Sequence, residues 1–140
     1  MPNIPKLRHE HFRLMATLRR LGALIERKTA PPQLHLFALR HELSATLIAH
    51  LEEEDAILYP PLFDSPNAHI AATARAFSEE MGSLALDYQA HCEKWMANAI
   101  ADRWADYCAD CREILDALTI RITREDRELY PLIETLACAA

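Results

Sequence analysis

The stretch His50–Pro61, HLEEEDAILYPP, returns 71 residues later as RITREDRELYPL, Arg121–Leu132. Superposed, Glu54 falls on Glu125, Asp55 on Asp126, Leu58 on Leu129, Tyr59 on Tyr130 and Pro60 on Pro131. A second echo lies upstream of each copy: Glu10-His11-x-x-Leu14 against Glu80-Met81-x-x-Leu84, 70 residues apart. Internal self-similarity of this kind marks a duplicated supersecondary unit. The chain therefore reads as a single domain, residues 1–140, made of two αα-hairpin repeats. The inward polar positions of the first repeat hold His11, His50 and Glu54. In the second repeat they hold Met81, Arg121 and Glu125, so two imidazoles have been exchanged.

Helices are favoured throughout. A chain of 140 residues with 51% hydrophobic residues can bury one ordinary core. Only two glycines, and eight prolines gathered at a few places, leave long uninterrupted segments. Leu7, His11, Leu14, Leu18, Leu21 and Ile25 step by fours and threes, the seam of a bundle helix expected from Pro5 to about Lys28. Leu36, Leu39, Leu43, Leu47, His50, Glu54 and Ile57 share the inner face of a second helix, predicted to end at Tyr59-Pro60-Pro61 because proline disfavours helix in the residue before it. Ser65 as cap and Pro66 at the first position open a third helix, with Ile70, Ala74, Phe77, Met81, Leu84, Tyr88, His91 and Trp95 inward. A fourth starts near Asp102 and carries Trp104, Cys108, Cys111, Leu115, Leu118, Ile122, Glu125, Leu129, Leu132 and Leu136, with Pro131 expected to kink or end it.

Four amphipathic helices with short connections predict an all-α, antiparallel up-down-up-down four-helix bundle. Folding it at the three connections brings His11, His50, Glu54, Met81, Arg121 and Glu125 into one slab of the interior. His-x-x-x-Glu places an imidazole and a carboxylate one turn apart on one helix face. Such ligands suit iron. Methionine is a poor partner for a carboxylate-rich iron site, and arginine, always protonated, cannot ligate at all. Arg121 instead offers a counter-charge to Glu54 and Glu125. Two states of the slab stay open on these residues: a metal-free polar core and a single metal on His11, His50, Glu54 and Glu125.

The combination of His11 in Glu-His-x-x-Leu, His50-Leu-Glu-Glu-Glu54-Asp before Leu-Tyr-Pro, and Glu125-Asp before Leu-Tyr-Pro resembles the hemerythrin superfamily, specifically its HHE cation-binding branch, over essentially the whole chain. The resemblance implies a hemerythrin-like bundle with histidine on helices 1 and 3, His-x-x-x-Glu on helices 2 and 4, and glutamates bridging two irons. Members bind oxygen, sense oxygen or nitric oxide, store iron or help repair iron centres. Met81 and Arg121 stand where that pattern has histidines, so the ligands carried over are His11, His50, Glu54 and Glu125 alone. No cofactor or one metal ion, iron first, is expected.

A second cluster is expected at the other end of the bundle, where Cys108-Ala-Asp-Cys111 lies level with His91 and Cys92. Thiolates and imidazole could hold zinc or form a redox pair; buried thiols under Trp95 and Trp104 serve equally as packing. No glycine-rich phosphate loop, serine nucleophile motif or His-Glu-x-x-His suggests catalysis, so the chain is not expected to be an enzyme. A net charge of −6 disfavours nucleic acid. The absence of a long apolar run excludes a membrane span, and the first residues, MPNIPKLRHEH, lack a signal-peptide core, which leads to a cytoplasmic expectation. The function expected first is a regulatory or partner-binding module with an iron-poor core, binding a protein partner or a second copy as a homodimer. The alternative is a metal-dependent sensor of oxygen, nitric oxide or redox state.

Overall fold

The computed structural model describes residues 2–139, and among them every regular element is helical. Helix α1 spans Ile4–Ile25, capped by the Asn3 side chain, which accepts from the Lys6 amide at 3.0 Å. Helix α2 spans Gln33–Glu53 and continues through a π-helical turn, Glu54–Leu58, into α3, Tyr59–Phe63. Helices α4 (Ala68–Met81) and α5 (Leu84–Lys94) follow, then the short α6 (Ala97–Asp102). Helix α7, Trp104–Arg124, runs through a second π-helical turn, Glu125–Leu129, into α8, Tyr130–Ala139. Helix α1 packs along α2 and α7, and α5 along α7.

The two π-turns correct the prediction that the second helix ends at Tyr59-Pro60-Pro61, and at Pro131 an irregular turn replaces an end. Proline offers no N–H to the turn before it. In each repeat the turn widens by one residue, so that the Tyr59 amide donates to the Glu54 carbonyl and the Tyr130 amide to that of Glu125. The chain then passes its prolines without stopping. The widening also rotates everything downstream by one residue. Leu58, not Ile57, is buried (1% against 58% exposed), and Ile133 rather than Leu132 or Leu136 reaches the core.

Other boundaries move for local reasons. Helix α1 stops at Ile25, short of Lys28. The cap of the third segment is Asn67, whose side chain accepts from the amides of His69 and Ile70, while Ser65 only receives the Asn67 amide. The expected third helix is interrupted at Gly82-Ser83, two residues of low helix propensity. A side chain at 82 would meet the Ser78 carbonyl oxygen at 2.3 Å, so this turn requires glycine. The fourth long helix begins at Trp104, after the separate turn and a half of α6.

Two apolar clusters form the core. One joins Leu14, Leu18, Leu47, Leu51, Trp95, Tyr107 and Ile122 with their neighbours. The other joins Ile4, Leu7, Leu58, Tyr59, Phe77, Leu129 and Tyr130. Along α1, His11 falls between Leu7 and Leu14; Glu54 falls between Leu51 and Leu58, and Glu125 between Ile122 and Leu129. A polar layer therefore separates the two clusters, closed to water on both sides.

A buried imidazole and carboxylate centre

The layer consists of His11, His50, Glu54, Arg121 and Glu125, none more than 2% exposed. Burying five such groups is costly unless each is paired and hydrogen-bonded. The pairing is extensive. Arg121 Nε donates to Glu125 Oε2 at 3.2 Å, and Nη2 reaches Glu54 Oε1 at 3.4 Å and Asp55 Oδ1 at 2.6 Å. Its Nη1 donates to the Met81 carbonyl at 3.3 Å. Burial opposes the charge on Arg121, but Glu125, Glu54 and Asp55 hold the guanidinium firmly protonated. Met81 itself is half-buried and packs beside the second apolar cluster.

Each carboxylate of the layer is held by the tyrosine of the opposite repeat. Tyr130 Oη donates to Glu54 Oε2 at 2.5 Å, and Tyr59 Oη to Glu125 Oε2 at 2.6 Å. Burial and the facing carboxylates keep both phenols protonated. Burial, and then the charge of Glu125, raise the pKa of Glu54. Burial would do the same to Glu125, but His11 and Arg121 hold its charge and depress it.

The imidazoles are oriented from outside. His11 Nδ1 lies 2.7 Å from Asp126 Oδ1, and His50 Nδ1 lies 2.8 Å from Glu10 Oε1. An ionised carboxylate only accepts, so each Nδ1 carries the proton, and in a neutral ring the Nε2 lone pair turns inward. Surface cations steady both partners: Lys6 Nζ is 3.7 Å from Glu10, and Arg8 Nη1 is 3.7 Å from Asp126. This carboxylate–imidazole arrangement is how proteins orient histidines toward a metal.

The inward atoms converge. One ligand atom from each of His11, His50, Glu54 and Glu125 lies within 4.8 Å of the others. His11 Nε2 is 3.2 Å from Glu125 Oε1 and 3.9 Å from Glu54 Oε2; His50 Nε2 is 3.1 Å from Glu54 Oε1. Yet His50 Nε2 and Glu125 Oε1 make no hydrogen bond. Buried polar atoms normally find partners. These two sit close to complementary groups but are aimed past them, as donors to a shared central cation would be. Burial alone would discharge His11, but Asp126 and Glu125 outweigh it and raise its pKa to about 9. His50 is also raised, with Glu54 and Glu10 prevailing over burial. The layer thus takes up protons where positive charge is short. Two imidazoles and two carboxylates are a donor set that could hold a metal ion.

His91, Cys92, Cys108 and Cys111 do not assemble in this way. Among the described residues, the group of three or more ligands is the His11, His50, Glu54, Glu125 set. His91 faces the Tyr107 ring at 5.9 Å, and burial followed by the Arg40 charge lowers its pKa. Cys108 and Cys111 are buried free thiols in the aromatic cluster; burial pushes Cys111 up to about 11 and raises Cys108.

The sequence had already marked His11, His50, Glu54 and Glu125, and the structure brings them together with Arg121. Four further members, Asp126, Glu10, Tyr59 and Tyr130, escaped assignment. All four lie in the repeated motifs, and their recurrence was the available signal.

Compared with known families, the chain matches the model described as hemerythrin HHE cation binding domain over residues 3–133. No curated protein gave a match, and no solved structure did.

Proposed function

The chain belongs to the hemerythrin HHE cation-binding family, and from that premise we propose that it is a mononuclear variant, holding one metal ion on His11, His50, Glu54 and Glu125. The observation that carries this reading is the pair of contacts from Asp126 and Glu10 to the two Nδ1 atoms, which turn both Nε2 atoms toward the glutamates, His11 Nε2 lying 3.2 Å from Glu125 and 3.3 Å from Tyr130 Oη and His50 Nε2 3.1 Å from Glu54. Iron is the first choice, given the family and the mixed nitrogen and oxygen donors. When bound, ferrous iron would supply a one-electron centre able to take a small diatomic molecule. That suits a sensor of nitric oxide, oxygen or redox state better than an enzyme.

The chain's own residues do the rest. Asp126 and Glu10 keep the Nδ1 protons in place, and Tyr59 and Tyr130 fix one oxygen of each glutamate. With a divalent ion balancing Glu54 and Glu125, Arg121 would keep its pairing with Asp55. The two apolar clusters exclude water from both sides.

A second reading, a metal-free regulatory module that binds a protein partner or its own copy, is favoured by Arg121, which already pairs with Glu54, Glu125 and Asp55. Anaerobic titration of the purified protein with ferrous iron and with Co(II), followed by metal analysis, separates the two. Binding of one equivalent, lost in His11→Ala and in Glu125→Ala, supports the mononuclear centre. No binding favours the metal-free module, and two equivalents refute both.

A further inference from the structure

His11, His50, Glu54 and Glu125 are sealed from solvent, so any small molecule that meets a metal there needs a way in. Two adjoining hollows approach the layer from one side. An open groove of about 510 Å³ runs past Phe63, Arg75, Ser78 and Glu79. It shares Phe63 and Ser78 with a deeper cleft of about 220 Å³, whose walls include Phe77, Gly82, Asp55, Tyr59 and Arg121. The last two are bonded directly to the glutamates: Tyr59 to Glu125, Arg121 to both Glu125 and Glu54. Solvent space therefore ends one side chain away from the centre.

The cleft has a recognisable chemistry. Phe63, Phe77 and the Tyr59 ring make apolar walls. Arg121 forms the polar end, and its hydrogen bonds use one Nη1 hydrogen on the Met81 carbonyl, leaving the other available. Gly82, where the third segment breaks and no side chain can stand, lines the cleft. A water claims about 30 Å³ of liquid volume, so the cleft has room for several waters or for a molecule of a few heavy atoms.

We infer that the cleft between Ser78, Gly82 and Arg121 is the entrance to the centre for small molecules that accept a hydrogen bond, with Arg121 as the inner contact. The inference rests on the mononuclear reading for what lies beyond Arg121, but the cleft can be probed without metal. The experiment has two arms. In the first, wild type, Ser78→Trp and Ala90→Trp are loaded with Co(II), and azide association is followed by stopped-flow absorption. Ser78 touches none of the ligands, and Ala90 lines a separate groove between α5 and α7. Ser78→Trp should keep wild-type Co(II) stoichiometry and slow azide association about tenfold or more, as blocked access lowers an on-rate. Ala90→Trp should match wild type. An unchanged rate in Ser78→Trp overturns the inference.

In the second arm, metal-free wild type is placed under oxygen gas, and the paramagnetic relaxation of ring protons is measured by NMR. Protons of Phe77 and Tyr59 should relax faster than those of Trp95 and Tyr107, which are buried at the other end of the bundle. Equal relaxation overturns the entrance. A protein that takes up no Co(II) refutes the mononuclear reading, and the oxygen measurement then decides the cleft alone.

Discussion

Tyr130 donates to Glu54 at 2.5 Å across 76 residues of chain, and Tyr59 returns the same bond to Glu125. Each repeat thus holds the carboxylate of the other. In Tyr130→Phe, Glu54 loses its hydroxyl partner while the ring's packing stays. Leaving a buried acceptor short of a bond costs about 1–3 kcal/mol. Chemical denaturation should show a loss in that range, and a melt identical to wild type would show that the bond does not hold Glu54.

The outer carboxylates Asp126 and Glu10 meet the imidazoles at Nδ1, away from the inward Nε2 atoms. Asp126→Ala and Glu10→Ala should therefore fold but bind metal about 10–100-fold more weakly. Competition between the protein and a coloured chelator for Co(II) measures this directly. Asp126→Asn keeps an acceptor for the Nδ1 proton and should recover part of the affinity.

Arg121 carries the charge balance of the metal-free layer. Arg121→Ala removes the guanidinium that Glu54 and Glu125 share, and breaking such a buried set costs about 3–5 kcal/mol. In wild type, Glu125 has a depressed pKa, so its contribution is present above the ordinary carboxylate range and lost as pH falls through the folded value. In the variant, burial and like charge raise the pKa instead, and stability is lost as pH climbs. Thermal melts across pH should show the gap between the two widest near neutrality and narrowing toward acid. A variant as stable as wild type at neutral pH would mean that Arg121 does not serve as the counter-charge.

Restoring the exchanged positions should change the stoichiometry. Met81→His with Arg121→His removes the fixed charge and adds two imidazoles, so two metal ions per chain are expected by elemental analysis, against one in wild type. Uptake unchanged at one ion would show that the break after Met81 keeps residue 81 away from the centre.

The thiols are expected to be inert. With Cys111 pushed up to about 11 by burial, native protein at neutral pH holds it as the neutral thiol, and thiolate is the reactive form. Cys92, half-buried, should label before Cys108 and Cys111, which follow only on unfolding. Because burial favours the neutral thiol, Cys111 contributes stability below the ordinary thiol range, and this is lost as pH rises toward about 11. Rapid labelling of both buried thiols in native protein at neutral pH would contradict this.

Local chemistry and periodicity carried the all-α class, the seams of α1 and α7, and the four residues His11, His50, Glu54 and Glu125 that meet in the polar layer. Those properties depend on residue type and spacing along one helix, which is what a sequence displays directly. The same spacing misplaced Ile57, Leu132 and Leu136, because a proline can be absorbed by widening the turn before it, and the extra residue rotates the face that follows. Asp126 on His11, Glu10 on His50 and the exchanged tyrosine bonds were illegible for a different reason. Each joins side chains on separate helices, and whether they meet depends on the register and rotation of one helix against another. The linear order of residues named His11, His50, Glu54 and Glu125; the packing of the helices decided which nitrogen of each histidine faces inward and where Arg121 spends its charge.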